Sequence, residues 1–130
     1  MAISLMEAYL IESLRQNYSY EQVAAQLENK DLSLFAEMKS DFSLLQQLFD
    51  TDKELFKEAY TTGYQVKFLT INGLKNILRM RFGIDEHQYE LQEFGAYNVP
   101  ANEETAKAIA ALISSNWKIE RNGETINIFV

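Results

Sequence analysis

The chain has 130 residues, a formal charge of −7 and 47% apolar residues, with one proline, one histidine and no cysteine. That length suits one domain or two very small ones, and the apolar content is that of a folded chain, since a disordered one lacks the side chains to offset its ordering entropy. No run approaches the roughly 20 apolar residues that cross a bilayer, and the lack of cysteine excludes disulfides, thiol chemistry and thiolate-bound zinc.

Met1 to Leu14 is apolar-rich but carries Glu7 and Glu12 and no basic leader, the opposite of a secretory signal. The expectation is a cytoplasmic protein with no membrane association. The spacing of Met6, Tyr9, Leu10 and Leu14 predicts a helix over 3–16 with one apolar face, and with Glu7, Glu12 and Arg15 turned away from it. Ser19 to Gln22 forms a capping box that opens a short helix burying Val23, Ala24 and Leu27. Leu32 to Met38 predicts another short helix. Ser40-Asp41 can cap one that buries Leu44, Leu45, Leu48 and Phe49. Thr51 to Glu54 is a second capping box, before Leu55, Phe56 and Ala59.

The period changes after Gly63. Tyr64, Val66 and Phe68 alternate with Gln65 and Lys67 as in a half-buried strand. Thr70 then caps a helix to about Arg81, with Leu74, Ile77, Leu78 and Phe82 inward and Gly83 as its stop. Residues 85–100 suit a strand or a short helix, with Gly95 to Pro100 read as a loop because Pro100 keeps Val99 out of helical angles. Asn102 caps a further helix whose Ala106, Ile109, Ala110 and Ile113 offer a small-residue face to a neighbour. Asn122-Gly123 predicts a type I′ hairpin turn, which sets Arg121 opposite Glu124, Ile119 opposite Ile126 and Trp117 opposite Ile128. Phe129 then falls on the polar face, opposite to Trp117 and Ile128. The fold class is α+β: a helical N-terminal half, then strand-helix and helix-hairpin elements. The chain is expected to form a single domain, 1–130, divisible into a helical 1–62 and an α/β 63–130.

Charge is segmental. Residues 61–82 hold Lys67, Lys75, Arg79 and Arg81 and no acid, whereas 83–104 hold Asp85, Glu86, Glu90, Glu93, Glu103 and Glu104 and no base. The order helix, strand, helix, helix, hairpin after residue 52 resembles a winged helix, and 18–27 resembles the first helix of a helix-turn-helix unit. A nucleic-acid reader of that kind would use Lys67, Lys75, Arg79, Arg81 and Arg121. Against it stand Glu103 and Glu104, at the end where a recognition helix would meet phosphate.

Catalysis and metal binding are not expected, and no cofactor is implied. His87 is the lone histidine, the carboxylates at 85–93 lack the spacing of a calcium loop, and the glycines never cluster to cradle phosphate. The leading expectation is a non-enzymatic protein-protein interaction protein, regulatory or inhibitory, whose partner is another protein or a second copy of itself. Nucleic acid is the disfavoured alternative. Candidate partner contacts are Lys75, Asn76, Arg79, Arg81, Tyr97 and Phe129, drawn from the 71–82 helix face and from an aromatic set that also includes Tyr18, Tyr20, Tyr60, Tyr64 and Tyr89.

Overall fold

The computed structural model describes residues 2–38 and 41–130, with 36–38 as backbone alone. The fold is mixed α/β, with a helical N-terminal stretch followed by strands and helices. The chain runs β1 (Ala2–Ile3), α1 (Leu5–Arg15), α2 (Tyr20–Glu28), a 3₁₀ segment (Ser33–Met38), α3 (Ser43–Thr51), α4 (Lys53–Thr61), β2 (Gln65–Val66) and α5 (Ile71–Phe82). A 3₁₀ turn (Glu86–Gln88), β3 (Glu90–Gln92), β4 (Gly95–Pro100), α6 (Glu103–Leu112), β5 (Lys118–Asn122) and β6 (Thr125–Phe129) complete it. Two compact units result, Met6–Tyr64 and Ala2–Leu5 with Gln65–Val130.

In the first unit, α2 and α4 start where a side-chain oxygen satisfies a free amide. Ser19 accepts from the Gln22 N–H while the Gln22 side chain accepts from the Ser19 N–H, the reciprocal box expected there. The second cap lies one residue later than expected: Asp52, not Thr51, accepts from the Leu55 N–H, and Thr51 closes α3. At α3 the capping position falls to Phe42, which makes no side-chain cap bond, and Asp41 accepts from the Ser43 N–H one residue before it; Ser40 lies outside the described residues. The core is aromatic at a seven-residue spacing, since Phe35, Phe42, Phe49 and Phe56 are all buried. Phe35 meets Phe42 at 5.4 Å and Phe49 meets Phe56 edge-on at 5.7 Å, pairs that each add about 0.5–1.5 kcal/mol beyond area burial.

Helix α1 departs from expectation at both ends of its polarity. Met6 is exposed, whereas Glu12, expected outside, is 2% exposed. Glu12 survives burial because the Tyr64 hydroxyl donates to it at 2.6 Å and the Arg15 guanidinium lies at 3.3 Å. A buried carboxylate needs such partners.

In the second unit, β1 and β2 form a two-residue parallel pair, Ala2 with Gln65 and Ile3 with Val66. The alternation read across 64–68 therefore shortens to two residues, and α1 starts at Leu5, after the strand that takes Ile3. Phe68 is 84% exposed while Leu69 turns inward. The reason is a clamp on Leu69: its N–H donates to the Ser114 hydroxyl at 3.2 Å and its carbonyl accepts from the Trp117 indole at 2.9 Å.

The main sheet is antiparallel in the order β3-β4-β6-β5. Residues 95–100, read as a loop, are one of its two central strands. Each residue that signalled a turn has a special place in that strand. Asn98 takes φ 58 in a bulge, its N–H accepted by the Asn127 side chain at 2.9 Å. Pro100 sits at the strand end opposite Thr125.

The hairpin forms, but its register is two residues away from the one expected. Asn122 pairs with Thr125, Arg121 with Ile126 and Ile119 with Ile128. Gly123 alone in the turn has positive φ, at 66, the φ pattern of a II′ turn; I′ needs both central residues positive. A two-residue shift conserves which face each side chain occupies. It lets β6 pair on its other edge with β4, placing Ala96 against Ile128 and Val99 against Ile126. The inner face thus carries Leu91, Ala96, Val99, Ile119, Ile126 and Ile128, and α6 buries Ile109 and Leu112.

Candidate functional site

Helix α5 is built as its sequence dictates. The Thr70 hydroxyl accepts from the Gly73 N–H at 3.0 Å and Gly83 closes the helix at φ 67. Lys75, Asn76 and Arg81 are half-buried and Arg79 is exposed. Arg81 lies 6.0 Å from the centre of the Phe82 ring. Lys75 and Arg79 border a depression of about 40 Å³ whose other walls are Asp85 and Glu86. The cationic face is therefore flanked by acids from the following turn, and the same charges act on Tyr89. Burial raises the Tyr89 hydroxyl pKa above the usual phenol value, Glu86 and Asp85 add to the rise, and Arg79 opposes it.

Arg121 does not reach outward from a wing tip. Its guanidinium donates to the Ala101 carbonyl at 3.1 Å, fastening β5 to the residue before the Asn102 cap of α6. Lys67 is exposed, and its backbone N–H donates to the Ile3 carbonyl at 2.9 Å. The five basic candidates thus stand in three settings: on α5, in the loop after β2, and against Ala101. His87 is exposed, its Nε2 3.8 Å from an Asp85 carboxylate oxygen. Among the described residues, no three or more His, Cys, Asp or Glu side chains are grouped to hold a metal ion. No helix of the described residues is long and apolar enough to cross a membrane.

The aromatic candidates divide by burial. Tyr60, Tyr64 and Tyr89 belong to the core. Tyr18 and Tyr20 are half-buried, with Tyr18 edge-on to Phe35 at 5.4 Å and Tyr20 at 6.0 Å from Phe56. Tyr97 and Phe129, by contrast, come together on the outer face of the main sheet. Their rings are within 11° of parallel with centres 6.5 Å apart, and both are half-buried, as Tyr18 and Tyr20 are.

Strand register explains the pairing. Phe129 stands opposite Gly95 on β4, and Tyr97 is two residues along, on the same face. A Cβ on Gly95 would lie 3.1 Å from the Tyr97 Cζ and 3.0 Å from the Phe129 Cβ, so the tyrosine ring lies over the space that glycine leaves vacant. Around the pair, Glu90 is opposite Tyr97 and Lys118 opposite Phe129, followed by Glu120 opposite Asn127. At the same end of the sheet, Phe94 in the β3–β4 turn is 65% exposed and Val130 57%, joined through the Val130 N–H and the Phe94 carbonyl at 3.1 Å.

Sequence reasoning singled out Tyr97 and Phe129 but not Phe94 or Phe68. The segment around Phe94 has no clear period and so gives it no face, and the alternation that predicts Phe68 inward ends at Val66. A shallow groove of about 410 Å³ also runs between α6 and the hairpin, with Ala106, Ala110, Ile119 and Ile126 along it. The helix face expected to meet a neighbour is thus partly open, Ala110 being exposed. Comparison of the chain with protein-family models, with curated proteins and with solved structures finds no match.

Proposed function

We propose that this chain works without catalysis, by docking onto another protein as a regulator or inhibitor, and that the outer face of its main sheet makes the contact. One observation carries the reading: Tyr97 and Phe129 form a parallel pair on that face, and Phe94 and Val130 extend apolar surface at its end. Single exposed apolar residues are ordinary on protein surfaces, but adjoining aromatic ones are the residues that anchor interfaces. The pair also rests on paired central strands, so little order has to be gained on binding.

The rival reading is a winged-helix-like nucleic-acid regulator that uses α5. Its support is the acid-free run at 61–82; the order of elements departs from it, because β3 and β4 stand between α5 and α6 where a winged helix passes from helix to helix. Asp85 and Glu86, beside Lys75 and Arg79, weaken it, because a phosphate approaching these bases also meets two carboxylates.

The test is recovery of partners from native cytosol with the wild-type chain and with a Phe94→Ser/Tyr97→Ser double variant, with the mass of each complex measured alongside. The reading predicts a specific partner that the double variant loses. A monomeric wild-type chain with no partner, or a partner held equally by both, would refute it. Salt-dependent retardation of DNA or RNA that vanishes on neutralising Lys75 and Arg79 would favour the rival.

A further inference from the structure

The Tyr97–Phe129 platform has two chemically distinct planar ligands to choose between, a nucleobase and an arginine guanidinium. Both stack on aromatic faces. A four-stranded sheet with exposed aromatics on its central strands is one way to bind single-stranded nucleic acid. Charge decides between them. Glu90 is register-paired to Tyr97, Glu93 lies in the β3–β4 turn and Glu120 is on β5, against Lys118 alone on this face. A nucleobase brings its phosphate into that field, whereas a guanidinium gains from it.

Resting on the docking reading above, we propose that the partner places an arginine from a basic segment on this platform, its plane against the Tyr97 and Phe129 rings and its N–H groups toward Glu90. Parallel rings 6.5 Å apart at their centres are not in full face contact with each other, so ring face remains for a third planar group. Gly95, without a side chain, leaves room for the tip of the Tyr97 ring, whose Cζ would lie 3.1 Å from a Cβ there. Lysine is a poorer fit, because its compact, strongly hydrated ammonium neither stacks nor offers a paired donor edge to a carboxylate. Lys118, on the far side of Phe129, gives the contact a direction: the partner's basic residue lies on the β3 side, and an acidic or neutral one lies over β5.

The experiment titrates the full chain with fluorescent twelve-residue peptides, Gly-Arg-Ser repeats and their lysine and citrulline counterparts, and with a single-stranded oligouridylate of equal length. Anisotropy at low and physiological salt gives affinities, and amide chemical shifts locate the contact. Expected is saturable binding of the arginine peptide, about tenfold tighter than the lysine one, with shifts on β4 and β6. Glu90→Gln should weaken it several-fold, Tyr97→Ala about tenfold, and Tyr97→Phe should restore it. Should Tyr97→Ala fail to fold, Glu90→Gln and Glu90→Lys carry the test, the latter abolishing binding.

Equal affinity for arginine and lysine peptides, indifference to Tyr97→Ala, or preference for the oligouridylate overturns the proposal. If no peptide binds while partner recovery still depends on Phe94 and Tyr97, the arginine occupant falls and the docking face stands. If recovery is also independent of these residues, both fall.

Discussion

Gly95→Ala is a substitution whose sign, as well as its size, follows from the sheet. Gly95 is not among the residues of positive φ, so alanine meets no backbone penalty there. On conformational grounds alone the change should stabilise by about 0.4–1 kcal/mol, through the loss of unfolded-state freedom. Sterics reverse this. The new Cβ would lie 2.7 Å from the Ile128 carbonyl oxygen on the paired strand, 3.0 Å from the Phe129 Cβ and 3.1 Å from the Tyr97 Cζ. The ring tip can swing aside, but the carbonyl can move only by opening the β4–β6 ladder. Overpacking of this kind costs about 1–3 kcal/mol, leaving a net loss of about 1–2 kcal/mol. Urea unfolding followed by fluorescence of Trp117, the single tryptophan, reads the second unit directly. The midpoint should fall by about 0.5–1 M. Gly83→Ala provides the contrast, since nothing lies within 4 Å and the cost is the left-handed φ of 67. Asparagine, which tolerates that conformation, should recover part of the loss at Gly83 and none at Gly95. An unchanged or raised midpoint for Gly95→Ala would show that the close approach of β4 and β6 is not as described.

Glu12→Ala should destabilise the first unit by about 1–3 kcal/mol, since it orphans the buried Tyr64 hydroxyl while Arg15 keeps solvent, and Tyr64→Phe by about 1–2 kcal/mol; a double-mutant cycle in urea showing no coupling would refute the buried pair. Burial pushes the Tyr60 hydroxyl up to about 12, outweighing the opposing pull of Arg15, with Glu12 adding to the rise. The folded state therefore holds that proton after the unfolded chain has released it near pH 10, so this contribution is complete below pH 10 and is lost as pH rises toward 12. The ultraviolet tyrosinate titration of wild type minus Tyr60→Phe should show its step at about 12, and a step near 10 would contradict the burial. For the hairpin, a double-mutant cycle should find coupling of about 0.2–1 kcal/mol between Ile119 and Ile128 and none between Arg121 and Glu124; the reverse result would restore the I′ register.

What the sequence disclosed was local. Caps at Ser19, Thr70 and Asn102 and the stop at Gly83 each depend on atoms within about one helical turn, so a short window of residues contains the whole cause. Features decided by a partner distant in the chain are not legible in this way. Glu12 is buried because Tyr64 meets it, and Phe68 is exposed because Ser114 and Trp117 hold the next residue inward. Gly95 to Pro100 reads as a loop on its own, and it is a strand because β6 supplies the ladder. The platform was half legible: the parity of the hairpin put Phe129 on the outer face, but only β4 shows that Tyr97 lies beside it.

The outward position of Phe129 is common to the expected and the observed hairpin registers. Two registers differing by two residues share every face assignment, so the outward position of Phe129 survives a wrong turn type. The neighbours do not survive it. In the observed register Phe129 faces Lys118 across one edge and Gly95 across the other, and Glu90 is brought to Tyr97 one strand further on. The charge next to each ring, which separates a guanidinium from a phosphate-bearing base as a ligand, is therefore a property of register and strand order. Composition alone offered only an acidic chain with many aromatics. The sheet converts that into carboxylates held beside particular ring faces, and it is this local pairing, more than the net charge of −7, that the peptide titration interrogates.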